Sequence, residues 1–305
     1  MDVLLWLQAV MVGPGWDAFW RAISYLYQED WLLGLAAVLF WVADRSFARL
    51  FTTLAVCQAW LNVFLKGLFG VLRPAAGGAL RVADVALDTV YSQPSAHAQG
   101  SAALYAALAW HLRRPWFTAL AVVAVVLVGV SRLYLGVHWP LDVLLGWLIG
   151  LGIALLIIGV WPHAARAGGR LPFEAQLFLA LAAPAAMLLV SEMVPFVARL
   201  EVRYLPGALG ALAGVWFGTL LEERYLDFDR RGPLAWQVAK SAVGLVLVLA
   251  VRLALKPVLG DDGWPAFARY AVVGCAVSGV APALFAWLAG ALLPGRRAAG
   301  PARPG

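Results

Sequence analysis

Charge is what this chain has least of. Only 13% of its 305 residues are Asp, Glu, Lys or Arg, against about 25% in soluble globular domains, and so small a share excludes an ordinary solvated surface. Cysteine is scarcer still. Cys57 and Cys275 each sit inside an apolar segment, which argues against a disulfide framework or a thiolate metal cluster and leaves both as packing residues. No polar stretch is long enough to fold as a separate soluble domain.

What fills the sequence instead is hydrocarbon: 63% of the residues are apolar, in runs long enough to cross a bilayer, about 20 residues each. The expected fold is an all-α polytopic transmembrane bundle. Nine spans are expected, at about 29–43, 47–69, 96–112, 116–135, 140–161, 173–191, 205–221, 235–257 and 268–293. Residues 3–27 are interrupted by Gly13-Pro14-Gly15 and carry Asp17 and Arg21 four apart, a pattern that suits an interfacial helix as well as a span. With Asp2 at the start and no small-residue cleavage site, that segment is expected to stay attached.

The net charge of +6 does not point to nucleic acid, because the basic residues lie in short loops and form no continuous stripe. They report orientation. One face receives Arg45, Arg49, Arg113, Arg114, Arg166, Arg170, Arg224, Arg230, Arg231, Arg296 and Arg297, and by the positive-inside rule it is cytoplasmic. Tryptophans near the expected interfaces, among them Trp6, Trp16, Trp20, Trp60 and Trp139, read as an aromatic belt. A composition shift at 162–172 divides the chain into residues 1–163 and a four-span region, 164–305, that ends in a short basic tail.

Three polar clusters stand out, all on the face opposite the cytoplasmic arginines. The first is Lys66 followed after six residues by Arg73-Pro74; the second is Pro94-Ser95-Ala96-His97; the third is Ser131-Arg132, then His138, then Asp142. Ionisable groups in such surroundings mark functional sites by default. Pro140 suits the first turn of a helix, and the four-residue spacing can set the Asp142 carboxylate beside the His138 ring. A carboxylate on one ring nitrogen fixes the tautomer and leaves the other nitrogen with its lone pair. His138 is therefore a candidate nucleophile and Asp142 its partner; an interfacial cap is the plainer alternative. Lys66, Arg73 and Arg132 would repel one another unless an anion sat between them, and guanidinium forks suit phosphoryl oxygens. Membrane anchoring is their alternative. Ser95 fits an N-cap, and His97, just inside the helix, can exchange a proton as general acid and base.

The other histidines, His111 and His163, lie beside Arg-rich turns and read as solvated helix ends. Asp227 and Asp229 near Glu222 and Glu223 suggest a charged cytoplasmic loop more than a metal site, since no His or Cys accompanies them. No metal and no cofactor is expected.

The clusters resemble the three-part signature of the type-2 phosphatidic acid phosphatase superfamily: Lys, six residues, Arg-Pro; Pro-Ser-Gly-His; and Ser-Arg, five residues, His, three residues, Asp. Order and spacing match over roughly residues 29–161, with Ala96 standing where the family has Gly. The resemblance implies a helical bundle that removes phosphate from lipids without a metal. It implies His138 as nucleophile, Asp142 as its partner and His97 as acid and base, with Lys66, Arg73, Ser95 and Arg132 holding the phosphate. The partners would be a lipid phosphate and membrane lipids; the charge topology adds a bacterial inner membrane, with the site on the periplasmic or extracellular face. The rear spans could shape lipid entry, form a homodimer contact or serve transport. A transferase using the same phosphohistidine and a non-enzymatic lipid transporter are the competing readings.

Overall fold

The computed structural model describes residues 2–75, 80–83, 87, 89–200, 202–226 and 228–292, apart from the side chains of 29–33 and 290–292. Asp227 and the tail from 294, with Arg296 and Arg297, lie outside the described residues. Among the described residues the structure is all-α, with one isolated antiparallel bridge between Leu72 and Tyr91. The helices are α1 (Asp2–Val10), α2 (Pro14–Ser24), α3 (Glu29–Val42), α4 (Arg45–Phe69), α5 (Ala96–Leu112), α6 (Pro115–Tyr134) and α7 (Pro140–Gly168). They continue with α8 (Phe173–Met193), α9 (Pro195–Ala198), α10 (Tyr204–Tyr225), α11 (Leu234–Leu259), α12 (Gly263–Cys275) and, after a π-helical turn at Ala276–Val280, α13 (Ala281–Leu292).

Among the described residues seven helices, not nine, are long and apolar enough to cross a membrane: α4, α6, α7, α8, α10, α11 and the continuous stretch Gly263–Ala289. The last four are the rear spans. The segments expected at 29–43 and 96–112 are helices of 14 and 17 residues, about 21 and 26 Å long at 1.5 Å per residue, short of a hydrocarbon core about 30 Å thick. Along α5, Ala98, Gln99, Gly100, Ser101, Ala103 and Leu104 are buried against protein. The opening segment is two helices of 9 and 11 residues parted at Gly13, whose φ of 117° breaks the chain. Neither can span alone.

The chain forms two compact units, and it passes between them more than once: one comprises Met1–Leu32, Leu54–Trp161 and Ser191–Val202, the other Leu33–Thr53, Pro162–Val190 and Arg203–Gly305. In the first, α7 lies against α5 with its glycines at the contact. A Cβ on Gly150 would stand 2.1 Å from the Gln99 carbonyl oxygen, and one on Gly146 2.9 Å from that of Ser95, so close approach of the two backbones requires both glycines. Trp20 is buried, with its ring stacked 5.8 Å from that of Tyr134. It is a packing residue, unlike the exposed Trp6 and Trp16.

In the second unit Gly210, Gly214 and Gly218 form a stripe along α10 that meets the backbone of α12 at Phe267, Ala271 and Cys275, and Gly274 answers from the other side against Ala211. The π turn follows, and the Val277 carbonyl accepts the Trp41 indole N–H at 2.8 Å. Glu222 is not a solvated loop residue. It is buried, accepts the Phe228 amide at 2.7 Å, and lies 3.3 Å from Arg230 and 3.7 Å from Arg45.

A Gly214→Leu replacement should lower the thermal midpoint of the detergent-solubilised protein by the equivalent of about 1–3 kcal/mol or more, because its Cβ would fall 1.9 Å from the Ala271 oxygen. Gly152→Ala, which meets nothing within 4 Å, should leave the midpoint unchanged or raise it slightly, since Ala is the better residue inside a helix.

Candidate active site

All seven side chains singled out in the sequence lie in the first unit. Lys66 comes from the last turn of α4, Ser95 and His97 from the start of α5, Arg132 from the last turn of α6, and Asp142 from the first turn of α7. Arg73 and His138 come from the connections between helices.

Each cation is held by oxygens of the chain. The Lys66 ammonium donates to the Tyr91 and Ser92 carbonyls at 3.0 and 3.2 Å. Arg73 donates through Nε to the Thr89 carbonyl at 2.8 Å and through Nη1 to the Val137 carbonyl at 3.0 Å. Arg132, 3% exposed, donates through Nη1 to the Ser24 hydroxyl at 2.6 Å. The Leu72–Tyr91 bridge and the Ser92 amide, bonded to the Val71 carbonyl at 2.8 Å, fix the loop that offers these carbonyls.

His138 is buried between Asp142 and Arg73. Its Nδ1 lies 3.3 Å from Asp142 Oδ2, which also accepts the Trp139 amide at 2.7 Å, and its Nε2 lies 3.1 Å from Arg73 Nη1. Arginine can only donate, so Nε2 carries the lone pair and Nδ1 the proton. Burial, then the charges of Lys66, Arg73 and Arg132, hold the imidazole well below its ordinary value near 6.5, which keeps the ring neutral and its lone pair available.

The second cluster is held from two sides. Ser95 caps α5, accepting the Ala98 amide at 3.5 Å, and its own amide donates to the Asp142 carbonyl at 3.0 Å. His97 is half-buried, with its ring edge-on to Tyr27 at 5.6 Å. Behind it, Asn62 Nδ2 donates to the Pro94 carbonyl at 3.2 Å and to Gln99 Oε1 at 2.9 Å, and Gln99 Nε2 donates to the Gln58 carbonyl at 2.8 Å. Sequence reasoning passed over these residues, although Gln58, Asn62 and Lys66 recur every fourth position of one span and so share a face. Ser24 and Tyr27 carry no such signal.

A model of the PAP2 superfamily matches residues 46–166, which contain all seven site residues, and a model described as PAP2 superfamily phosphatase, transmembrane extension, matches 206–292. The chain belongs to the PAP2 superfamily. This PAP2 chain is 44% identical over 77 residues to an undecaprenyl-diphosphatase of Sulfolobus acidocaldarius, covering 24% of this chain and 34% of that protein. It is 29% identical over 167 residues to phosphatidylglycerophosphatase B of Bacillus subtilis, covering 50% and 75%. With lipid phosphate phosphatase delta of Arabidopsis thaliana it shares 26% over 161 residues, 48% and 37% of the two chains. It therefore spans about a third of the length of the first and last of these. The crystal structure of a transmembrane PAP2 type phosphatidylglycerolphosphate phosphatase from Bacillus subtilis aligns at TM-score 0.46 and 26% identity, over 52% of this chain and 82% of that one.

Two outcomes are expected of the PAP2 unit. Asn62→Leu leaves the buried Pro94 carbonyl and Gln99 amide without their partner, at about 1–3 kcal/mol for each unsatisfied group, measurable as a lower thermal midpoint. The second concerns Asp17, whose carboxyl is held below 3.8 by the hydrogen bond from Arg81 and then that of Tyr134. Its folded value is depressed, so the pair stabilises fully above about pH 4 and less as pH falls through the lowered value. Exposure of both partners limits the effect to under about 1 kcal/mol. Wild type and Asp17→Asn should differ slightly in midpoint at pH 6 and converge in strong acid.

Proposed function

We propose that this PAP2 chain hydrolyses the phosphate of a membrane lipid through a phosphohistidine and without a metal. What carries the reading is the disposition of His138: a neutral ring, oriented by Asp142 on one nitrogen, presents the lone pair of the other beside a guanidinium fork. Nε2 attacks phosphorus, the N–P bond forms as the bond to the lipid oxygen breaks, and His97 gives that oxygen its proton. His97 then takes a proton from water as the water oxygen attacks phosphorus, the N–P bond breaks, and inorganic phosphate leaves.

Arg73, Lys66 and Arg132 supply in fixed charge what a metal ion would otherwise offer to the equatorial oxygens. Arg73 has a second part. Its Nη1 lies on the nitrogen that must attack, so on arrival of the phosphoryl group the fork passes from Nε2 to an oxygen. Ser95, at the N-terminus of α5, brings its hydroxyl to the same anion, where helix N–H groups favour negative charge. Ala96 in place of the family's glycine retains its N–H for that purpose.

The names of the relatives support a phosphorylated lipid as substrate, with a polyprenyl diphosphate and a phosphatidylglycerol phosphate as the first two candidates. Residues 1–163 constitute the catalytic part in this reading and 164–305 an accessory region. The distribution of arginines supports a site on the non-cytoplasmic face of a bacterial inner membrane.

Phosphate release from undecaprenyl diphosphate, phosphatidylglycerol phosphate, phosphatidic acid and sphingoid phosphates, with a chelator present, tests the scheme. His138→Ala and His97→Ala should each lose at least about a thousandfold in kcat, and Asp142→Asn a comparable amount by favouring the wrong tautomer. Wild-type release by His138→Ala, or loss of release on chelation, would sink it. Because His138 stays neutral into mild acid, the acid limb of kcat/KM assigned to the nucleophile should lie below pH 6.5.

A further inference from the structure

Two side chains of the opening segment reach the site, and neither belongs to the three clusters. Ser24, the last residue of α2, is buried, and its hydroxyl accepts the Arg132 Nη1 hydrogen at 2.6 Å. Tyr27 is buried three residues later. Its ring stands edge-on to His97 at 5.6 Å, and its hydroxyl accepts from Gln58 Nε2 at 2.7 Å. The room for that ring comes from Gly100, where a Cβ would fall 1.9 Å from Tyr27 Cζ.

The segment is itself anchored beyond the site. Gln8 Nε2 donates to the Arg81 and Tyr134 carbonyls at 2.7 and 2.8 Å, and Arg81 Nη1 donates to Asp17 Oδ2 at 3.1 Å. The segment packs Trp20, Met11 and Ile23 against the end of α6. It also brings a hydroxyl to the buried Arg132 guanidinium, a hydrogen bond to a charged group that can orient the fork.

We propose that Ser24 and Tyr27 are positioning residues of the phosphatase site: Ser24 sets the rotation of the Arg132 fork that receives the phosphoryl oxygens, and Tyr27 fixes the ring plane of His97. This rests on the hydrolase reading above. The opening pair of helices then completes the site, and its two polar contacts divide the work, one acting on phosphate binding and the other on proton transfer.

The distinction gives the experiment. In full-length purified protein, Ser24→Ala should raise KM for the lipid phosphate and weaken inhibition by inorganic phosphate by about the same factor, near tenfold, with kcat little changed; a hydrogen bond to a charged group is of this order. Ser24→Thr, which keeps the hydroxyl, should recover most of the loss. Added to Arg132→Ala, Ser24→Ala should cost nothing further, because both remove one interaction. Tyr27→Ala should lower kcat about tenfold and leave inhibition by phosphate unchanged, whereas Tyr27→Phe, which keeps the ring, should stay within about twofold of wild type.

Equal losses in Ser24→Ala and Ser24→Thr, additivity with Arg132→Ala, or a Tyr27→Ala enzyme with wild-type kcat would overturn the assignment. The thermal midpoint of each variant separates misfolding from mispositioning, since Ser24→Thr and Tyr27→Phe keep the buried volume. His138→Ala run in parallel separates the two levels: if it retains activity the hydrolase reading fails, and if it is inactive while the Ser24 and Tyr27 variants match wild type, only the positioning roles fail.

Discussion

A cation removed from water needs oxygen around it, and the first unit is organised by that requirement. Lys66, Arg73 and Arg132 stand in a region where unpaired charge is costly, and each is tied to backbone carbonyls or a hydroxyl. The choice of partner matters chemically. A carboxylate would neutralise the cation before any substrate arrived, while a carbonyl satisfies its hydrogens and leaves its charge in place. The single carboxylate of the group, Asp142, is directed at His138 and the Trp139 amide.

Supplying those carbonyls constrains the chain well beyond the site. Tyr91, Ser92 and Thr89 face inward because the loop is clamped to Val71 and Leu72 and because Asn62 holds the Pro94 carbonyl. The glycines serve the same end by another route. Gly146 and Gly150 let α7 approach the backbone of α5, so the start of one helix, with Ser95 and His97, meets the start of the other, with Asp142. Membrane helices gain little from apolar contact with one another, so close backbone packing through small residues takes over that role.

The second unit solves the same problem differently. Its glycine stripe sets α10 against α12, and the buried Glu222 meets the half-buried Arg230 directly. Lys240, also buried, donates to the Arg230 carbonyl at 2.7 Å.

Much of this was legible in the residues. Apolar runs located the helices, and the spacing of Lys66, Arg73, Ser95, His97, Arg132, His138 and Asp142 named the cluster, because ionisable groups are rare enough in such a sequence that each one is informative. Hydropathy misled at 29–43 and 96–112, since it records an apolar stretch without fixing how long a helix forms there. What the sequence by itself determined was the membrane class and the identity of the ionisable set. The tertiary structure decided which nitrogen of His138 carries the lone pair, which carbonyls hold each cation, and that Ser24 and Tyr27 reach the site. Those depend on contacts between residues far apart in the chain, and an ordinary Ser or Tyr acquires a role only through what it is folded against.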